Sequence, residues 1–440
     1  MSVKSLLLLG FSLFLALPVW AGLNIQHWIT PQGARVYFVE NHDLPMLDVS
    51  VDFSAGSARD SKEKSGLASL ARGLMGLGAG PYSERDIAEK LADVGAVLSG
   101  RLDADRAGFT LRTLSGKAER GQALSVLSSI LAAPVFDATI LEREKARVIA
   151  GIEEAATQPE SIGAKAFQAA IYGDHPYALD ESGEVATVKT LTRDDLVAFH
   201  REYYRAKNMA VALMGDISRP EAEALASELA AGLPPGEAPA PIPPVVEAVK
   251  GVETVISHHA TQSHLFMGKP GMTREDPDYF PLYVGNYVLG GGGFDSRLTE
   301  SIRQKKGLAY SVYSYFAPME RKGPFMIGLQ TRRDATREAV ETAKVELARY
   351  LADGPTEAEL EQAKNNLIGG FPLRIDSNKK ILEYLAVIGF YRLPLNWLDT
   401  YSDKVAAVTR DEILRAFRVR VRPETMMTVI VGGQLESAAK

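Results

Sequence analysis

The side chains that most often carry enzyme chemistry are sparse in this 440-residue sequence. It contains no cysteine, which excludes thiolate metal sites, a cysteine nucleophile and disulfides, and it contains seven histidines. Three of these histidines fall in HHATQSH (His258–His264), whose spacing matches no standard zinc pattern. The glycine run Gly290–Gly293 lacks the Gly-Lys-Ser/Thr of a phosphate-binding loop, so a flexible loop is expected there. Residue types and spacing therefore predict neither a metal site nor a phosphate site at these positions.

One stretch has the glycines and the apolar spacing of an active-site helix but no side chain that suits a metal. This stretch is SGLASLARGLMGLGAG, Ser65–Gly80. Its leucines recur at helical spacing, which predicts a helix over Gly66–Leu77 with one apolar face. These leucines are Leu67, Leu70, Leu74 and Leu77. We expect this helix to serve as packing.

The composition and the N-terminus indicate an exported protein. Lys4, the apolar run Leu6–Leu17 and the small-residue site ending at Ala21 form a secretory signal peptide, residues 1–21. The run is short for a membrane anchor, the alternative, so we expect cleavage after Ala21, a periplasmic location and no membrane attachment afterwards. A formal net charge of −6 disfavours nucleic acid and anionic membranes as partners.

A proline-rich segment divides the chain into two halves. Six prolines fall within Leu233–Gly251, as in a semi-rigid spacer. We therefore expect an N-terminal domain at 22–232, a linker at 233–250 and a C-terminal domain at 251–440. Each half is expected to run from strands through helices to a closing strand, Ala210–Met214 in the first and Met427–Val431 in the second.

The two halves also share an internal echo that indicates duplication. Four residues of the first half have identical partners 212 positions later. The pairs are Leu77 and Leu289, Gly78 and Gly290, Gly80 and Gly292, and Gly95 and Gly307. Periodicity predicts helices over Ser83–Val94, Glu142–Ala156, Thr192–Tyr204, Ala335–Ala352 and Thr356–Gly369, and strands over Val36–Glu40 and Leu47–Phe53. This pattern predicts an α+β fold, used twice.

Several blocks of the sequence, in the right order, resemble the pitrilysin/insulinase-type peptidases, which include the mitochondrial processing peptidases. The blocks are VENHDLPMLDVSVDFSAGSARD, KSGLASLARGLMGLGAG, YGDHPYALDESG, YYRAKNMAVALMGDI and GGGGFDSRLTESIRQKKGLAYSVYSYF. The resemblance implies two homologous α/β-layered domains in a clamshell arrangement. It also implies a chamber in which peptides bind by adding a strand to a sheet edge.

Active members of that family carry H-x-x-E-H on a helix, the inverted zincin motif. By the resemblance, the two histidine positions are Ser69 and Gly73, and the position of the general base is Arg72. In active members, the remote glutamate ligand lies seven residues after another glutamate. By the resemblance, Glu144 matches that earlier glutamate, and Gly151 occupies the position of the ligand. A serine hydroxyl is a poor zinc ligand, a guanidinium repels a cation, and glycine has no side chain. We therefore expect no metal and no cofactor in this chain.

The resemblance assigns a different role to the second half. Functional members carry an arginine and a tyrosine seven residues apart, matched here by Arg303 and Tyr310. The family relation implies a non-catalytic subunit that supplies this pair in trans to a homologous H-x-x-E-H subunit, which would hold the zinc and hydrolyse peptides. The alternative is a peptide- or protein-binding scaffold with the same fold and no catalytic contribution.

Overall fold

The computed structural model describes residues 23–432, and the expected signal peptide at 1–21 lies outside this range. Within the range the chain forms two halves, each with a sheet covered by helices, which confirms the predicted fold class. Among these same residues, no helix has both the length and the apolar character that crossing a bilayer requires.

The first half is built on a sheet with the strand order β1-β2-β8-β3-β7-β6. Its strands are β1 (Gln26–Ile29), β2 (Arg35–Glu40), β3 (Met46–Phe53), the short pair β4 (Gly78–Ala79) and β5 (Tyr82–Ser83), β6 (Val97–Leu102), β7 (Ala107–Leu114) and β8 (Met209–Gly215). Its helices are α1 (Leu67–Met75), α2 (Glu84–Asp93), α3 (Lys117–Ala132), α4 (Ala138–Ala155), α5 (Pro159–Tyr172), α6 (Val185–Thr190), α7 (Arg193–Tyr203) and α8 (Arg219–Ala231).

The second half is built on a sheet with the order β11-β12-β10-β13-β9. Its strands are β9 (Glu253–Ile256), β10 (Gln262–Met272), β11 (Ala309–Phe316), β12 (Gly323–Arg332) and β13 (Met427–Val431). Its helices are α9 (Tyr279–Asn286), α10 (Thr336–Asp353), α11 (Glu357–Gly370), α12 (Asn378–Tyr391), α13 (Tyr401–Ala407) and α14 (Arg410–Arg420). Two π-helical segments, Tyr287–Gly291 and Thr299–Gln304, lie between α9 and β11.

The two sheets share one plan. The orders β6-β7-β3-β8-β2 and β11-β12-β10-β13-β9 place equivalent strands side by side, and the edge strands β6 and β11 begin at the predicted spacing of 212 residues. Gly95 and Gly307, which precede these edge strands, have φ angles of 63° and 62°. Such angles favour glycine because it has no Cβ. The shared conformation agrees with the duplication predicted from the echo.

The order of elements is more interleaved than the sequence predicted. Helices α1 and α2 separate the first three strands from β6 and β7, and α8 follows the closing strand β8. The reason is that the first sheet is completed by strands from distant parts of the chain. Residues 233–252 form no helix or strand, although Ile242 within them is buried.

In each half, one helix packs on the sheet of the other half. Helix α5 packs on the second sheet so closely that a Cβ on Gly163 would lie 2.3 Å from the ring of Phe266. Helix α12 packs on the first sheet, where a Cβ on Gly389 would lie 2.6 Å from the ring of Tyr37. The two halves therefore share a continuous core rather than touching at a surface.

Candidate functional site

Helix α1, which carries the expected zinc-motif positions, is anchored on one face and open on the other. The helix follows Gly66, whose φ of 93° suits glycine, and the carboxylate of Asp60 accepts hydrogen bonds from the amides of Gly66 and Ala68 at 2.8 and 2.9 Å. Its buried residues are Leu67, Ala68, Leu70, Ala71, Leu74 and Met75. Ser69, Arg72 and Gly73 lie on the partly exposed face. The packing role predicted for the leucines agrees with this burial at Leu67, Leu70 and Leu74.

Arg72 occupies the space beside the edge strand β6. A Cβ on Gly100 would lie 1.8 Å from Nη1 of Arg72, so the guanidinium lies against the strand where that strand has no side chain. Burial lowers the pKa of Arg72, the nearby hydroxyl of Tyr204 opposes this, and the charge of Arg147 lowers the pKa further. The buried Nε of Arg72 has no hydrogen-bond partner. This face of α1 is therefore positively charged.

The two glycine positions are open space. A Cβ on Gly73 or on Gly151 would meet no atom within 4 Å, and α4, which carries Gly151, packs against α1. Glu144 of α4 is buried and paired with Arg143 at 3.0 Å and with Arg147 at 2.7 Å. Zinc does not fit this set, because it offers one hydroxyl and a guanidinium in place of imidazole and carboxylate. Across residues 23–432 no three His, Asp or Glu side chains are grouped so as to hold a metal ion.

Arg303 and Tyr310 lie together on the second half. The guanidinium carbon of Arg303 lies 5.0 Å from the ring centre of Tyr310 and 4.8 Å from that of Phe294. Tyr310 is 77 % exposed and Phe294 is 65 % exposed. The amide of Gln304 donates to the carbonyl of Phe294 at 2.9 Å and ties the two segments together. Contacts of this kind between a guanidinium and two rings restrict its orientation.

A β-bulge directs Tyr310 outward. Along the pairing of β11 with β12, Ala309 opposes Thr331 and Ser311 opposes Gln330, so Tyr310 has no opposite residue. A bulge re-aims a side chain and bends the strand. Within the described residues β11 pairs with β12 alone, so its outer edge is open to a further strand. Tyr310 thus presents its hydroxyl beside an unpaired sheet edge.

The expectation of a flexible loop at Gly290–Gly293 is wrong. Residues Tyr287–Gly291 continue helix α9 as a π-helical turn. A Cβ on Gly290 would lie 2.6 Å from the backbone nitrogen of Ser314, and one on Gly291 would lie 2.7 Å from the side-chain amide of Asn286. Gly290 therefore allows this helix to pack tightly against β11, the strand that carries Tyr310.

Arg303 and Tyr310 belong to the second half, whereas the open face of α1 belongs to the first. Across the described part of the chain, no hydrogen bond, ion pair or ring contact joins Arg303 or Tyr310 to Ser69 or Arg72. The structure thus brings together Arg303, Tyr310 and Phe294, and it keeps them apart from the expected zinc-motif positions. Phe294 was not predicted as a site residue. Its only sequence signal is its place directly after the glycine run.

Comparison with known families decides the classification. Residues 35–182 match the model of insulinase, peptidase family M16, and residues 190–367 match the model of the peptidase M16 inactive domain. The chain belongs to peptidase family M16. This result confirms the resemblance seen in the sequence.

Solved structures and sequence relatives agree with the M16 assignment. The chain is 36 % identical to the peptidase M16 inactive domain from Pseudomonas fluorescens, with a TM-score of 0.91 over 94 % of this chain and 98 % of that one. It is 26 % identical over 411 residues to the non-peptidase homolog YmxG of Helicobacter pylori, covering 92 % of this chain and 94 % of that protein. The fold is also that of the periplasmic protease PqqL of Escherichia coli, at 14 % identity and a TM-score of 0.79, over 93 % of this chain and 46 % of PqqL.

This M16 chain therefore combines two unlike surfaces. The open face of α1 holds Ser69, the guanidinium of Arg72 and Gly73, and the neighbouring helix α4 carries Gly151. None of these positions offers a good cation ligand or a group that accepts a proton at neutral pH. The edge of β11 presents a phenol hydroxyl and an oriented guanidinium, which donate hydrogen bonds to carbonyl oxygens. The first surface offers no imidazole or carboxylate at the expected zinc-motif positions, whereas the second offers two hydrogen-bond donors.

Proposed function

We propose that this chain is the non-catalytic subunit of a heterodimeric zinc metallopeptidase. It supplies Arg303 and Tyr310 in trans to the zinc site of a homologous H-x-x-E-H subunit, which hydrolyses peptides. The observation that carries the proposal is the exposed Arg303–Tyr310 contact on an open strand edge, in a chain whose α1 carries Arg72 and Gly73. A lone enzyme has no use for an assisting pair without a metal site.

The chemistry of the pair suits peptide hydrolysis. The hydroxyl of Tyr310 donates to the carbonyl oxygen as negative charge develops on it, and one such donor contributes about a hundredfold or more in rate. The guanidinium of Arg303 holds a neighbouring peptide carbonyl in register. The open edge of β11 pairs with an extended substrate through backbone hydrogen bonds. The partner's zinc supplies the activated water when bound.

The N-terminal segment supports a periplasmic location. Residues 1–21 have the charged start, the apolar run and the small-residue cleavage site of a signal peptide. The shared fold with the periplasmic protease PqqL agrees with export. The mature chain and its partner would therefore meet in the periplasm.

Reconstitution tests the proposal. The mature chain is mixed with the H-x-x-E-H homologue from the same genome, and cleavage of an unfolded reporter peptide is measured with and without a chelator. We expect no cleavage by this chain alone and chelator-sensitive cleavage by the mixture. Chelator-sensitive cleavage by the isolated chain would contradict the proposal.

A pair of variants distinguishes a subunit that assists its partner's zinc site from a scaffold without a catalytic contribution. Arg303→Ala removes the guanidinium, whereas Lys305→Ala removes an exposed charge two residues away that pairs with Glu300. We expect Arg303→Ala to lower activity of the mixture at least tenfold and Lys305→Ala to leave it unchanged, with both complexes intact by gel filtration. Equal activity for both variants would favour the scaffold alternative.

A further inference from the structure

A cavity of about 420 Å³ lies between the two halves, with part of the proline-rich segment as one wall. Five arginines line it: Arg35, Arg59, Arg274, Arg321 and Arg392. They come from distant parts of the chain, namely the start of β2, the segment before α1, the end of β10, the turn between β11 and β12, and the residue after α12. The fold therefore brings together cationic side chains that are far apart in the sequence.

The positive charge in the cavity is not balanced. Two carboxylates, Glu275 and Glu320, line the same space, which leaves a formal charge of +3 from five arginines and two glutamates. Within residues 23–432 none of the five arginines lies within 4.0 Å of a carboxylate oxygen. Other half-buried arginines are closely paired, for example Arg112 with Asp48 at 2.7 Å and Arg297 with Glu359 at 2.7 Å. The protein as a whole carries a formal charge of −6.

Two of the arginines have a structural task. Arg59 donates to the carbonyl of Ala240 at 2.6 Å, and Arg321 donates to the carbonyl of Ile242 at 2.5 Å. These bonds hold the proline-rich segment in place as a wall of the cavity. The guanidinium of Arg35 lies beside the hydroxyl of Tyr37. Within residues 23–432, the side chains of Arg274 and Arg392 donate no hydrogen bond.

Two of the remaining three arginines, Arg35 and Arg274, have a buried donor without an acceptor, whereas Arg392 is exposed. The Nε atoms of Arg35 and Arg274 are buried and have no partner. The guanidinium of Arg274 lies 5.0 Å from the ring centre of Tyr391, which fixes its plane. Burial and the like charge of Arg392 lower the pKa of Arg35, and the neighbouring hydroxyl of Tyr37 opposes this effect. Buried donors without acceptors and neighbouring like charges both destabilise the folded protein, so an acceptor that satisfies them would be bound.

Arg392 follows helix α12 as its C-terminal cap. Its φ is 56°, in the left-handed region that residues other than glycine rarely occupy, and its backbone amide donates to the carbonyl of Ile388. Glycine is common at such positions but would remove the charge from the cavity.

We propose that this cavity binds a small anion bearing two or more carboxylate or phosphate groups, held by Arg35, Arg274 and Arg392. Guanidinium groups match both kinds of oxyanion through paired hydrogen bonds. Because Arg35 comes from the first half and the other two from the second, the ligand joins the halves beside the linker wall. This site does not depend on the proposed peptidase function and lies on residues outside it.

Isothermal titration of the mature chain with pyrophosphate and with citrate, at constant ionic strength, tests the proposal. The double variant Arg274→Gln/Arg392→Gln removes two of the three donors. Arg85→Gln makes the same type of change on the exposed surface of α2 and is the matched control. We expect saturable binding of at least one probe to the wild type and to Arg85→Gln, with affinity at least tenfold weaker in the double variant. Preference between the probes distinguishes phosphate from carboxylate as the natural ligand chemistry.

Urea unfolding shows whether the double variant is folded when its binding is measured. Without ligand, the double variant should unfold at the same urea concentration as the wild type or a higher one, because it relieves repulsion among like charges. Arg392→Lys retains the charge without the fork and should bind with intermediate affinity. The proposal is overturned if neither probe binds the wild type, or if the folded double variant binds as tightly as Arg85→Gln does.

Discussion

At the scale of single residues, the open face of α1 differs from a zinc site in the chemistry of its side chains. A Cβ on Gly73 or on Gly151 would meet no atom within 4 Å. Arg72 lies across Gly100 of the edge strand, in a gap that exists because strand β6 has no side chain there. The helix, its cap and the neighbouring α4 are all present, so the loss concerns the ligating groups alone.

This difference predicts that alanine at either glycine stabilises the protein. Gly73→Ala and Gly151→Ala should each raise the free energy of unfolding by about 0.5–1 kcal/mol, because glycine inside a helix costs conformational entropy. Urea unfolding followed by circular dichroism measures the change. The matched control is Gly163→Ala in α5, where the new Cβ would lie 2.3 Å from the ring of Phe266 and should destabilise the protein. Destabilisation by Gly73→Ala would show that the open space is needed for packing.

The sequence predicted part of the site at this scale. Arg303 and Tyr310 were identified through the resemblance, and the structure places them in contact. Phe294 and Gly100 were not identified, because each matters only through a residue brought near by folding. The five arginines of the cavity are spread over more than 350 positions, so no spacing pattern could have grouped them.

At the scale of elements, helices with strong periodicity and capping were predicted within a few residues. The helix expected over Ser83–Val94 is Glu84–Asp93, because Ser83 and Asp86 form a capping box that fixes its start. The helix expected over Glu142–Ala156 begins earlier, at Ala138, where Asp137 caps it. The glycine run did not predict the local structure correctly, because a contact with β11 helps to decide its conformation. The local sequence does not reveal such a long-range contact.

The start of α1 predicts a pH dependence of stability. Burial raises the pKa of Asp60 to about 7, against the effect of hydrogen bonds from the backbone amides of residues 66–68. Between about pH 4 and pH 7 the folded protein holds a proton at this carboxyl that the unfolded chain has lost. The stability associated with that proton is fully present below about pH 4 and is lost as the pH rises through about 7.

Asp60→Asn should therefore flatten the decline in stability between pH 4 and pH 7. Urea unfolding at a series of pH values measures the slope for wild type and variant. Asp137→Asn alters the exposed cap of α4 and is the matched control, which should change overall stability without flattening the decline. An unchanged slope in Asp60→Asn would mean that this carboxyl is already ionised at acidic pH in the folded protein.

At the scale of the whole molecule, exchange of helices joins the halves into one folding unit. Helix α5 covers the second sheet and α12 covers the first. Sequence periodicity identifies an amphipathic helix but not the sheet it packs on, so this exchange could not be predicted. The shared strand order could be anticipated in part, from the echo at an offset of 212 residues.

A buried carboxylate ties this arrangement together. Asp105, in the turn between β6 and β7, is fully buried and accepts hydrogen bonds from the hydroxyls of Tyr177 and Tyr391 and from the amide of Glu320. Asp105→Ala leaves three donors without an acceptor and should lower the free energy of unfolding by roughly 3 kcal/mol or more. Asp334→Ala, at an exposed ion pair with Arg332, is the matched control and should have little effect. Similar urea midpoints for both variants would contradict this role.

The turnover number of the reconstituted pair carrying Tyr310→Phe tests the central claim most directly. The change removes one hydroxyl from a side chain that is 77 % exposed, so folding and assembly should be unaffected. Tyr82→Phe removes a hydroxyl in the first half, 3.3 Å from that of Ser125, and is the matched control. The account predicts a fall in kcat of about a hundredfold for Tyr310→Phe and none for Tyr82→Phe. Equal kcat values for the two variants would show that this subunit contributes no catalytic hydroxyl to its partner.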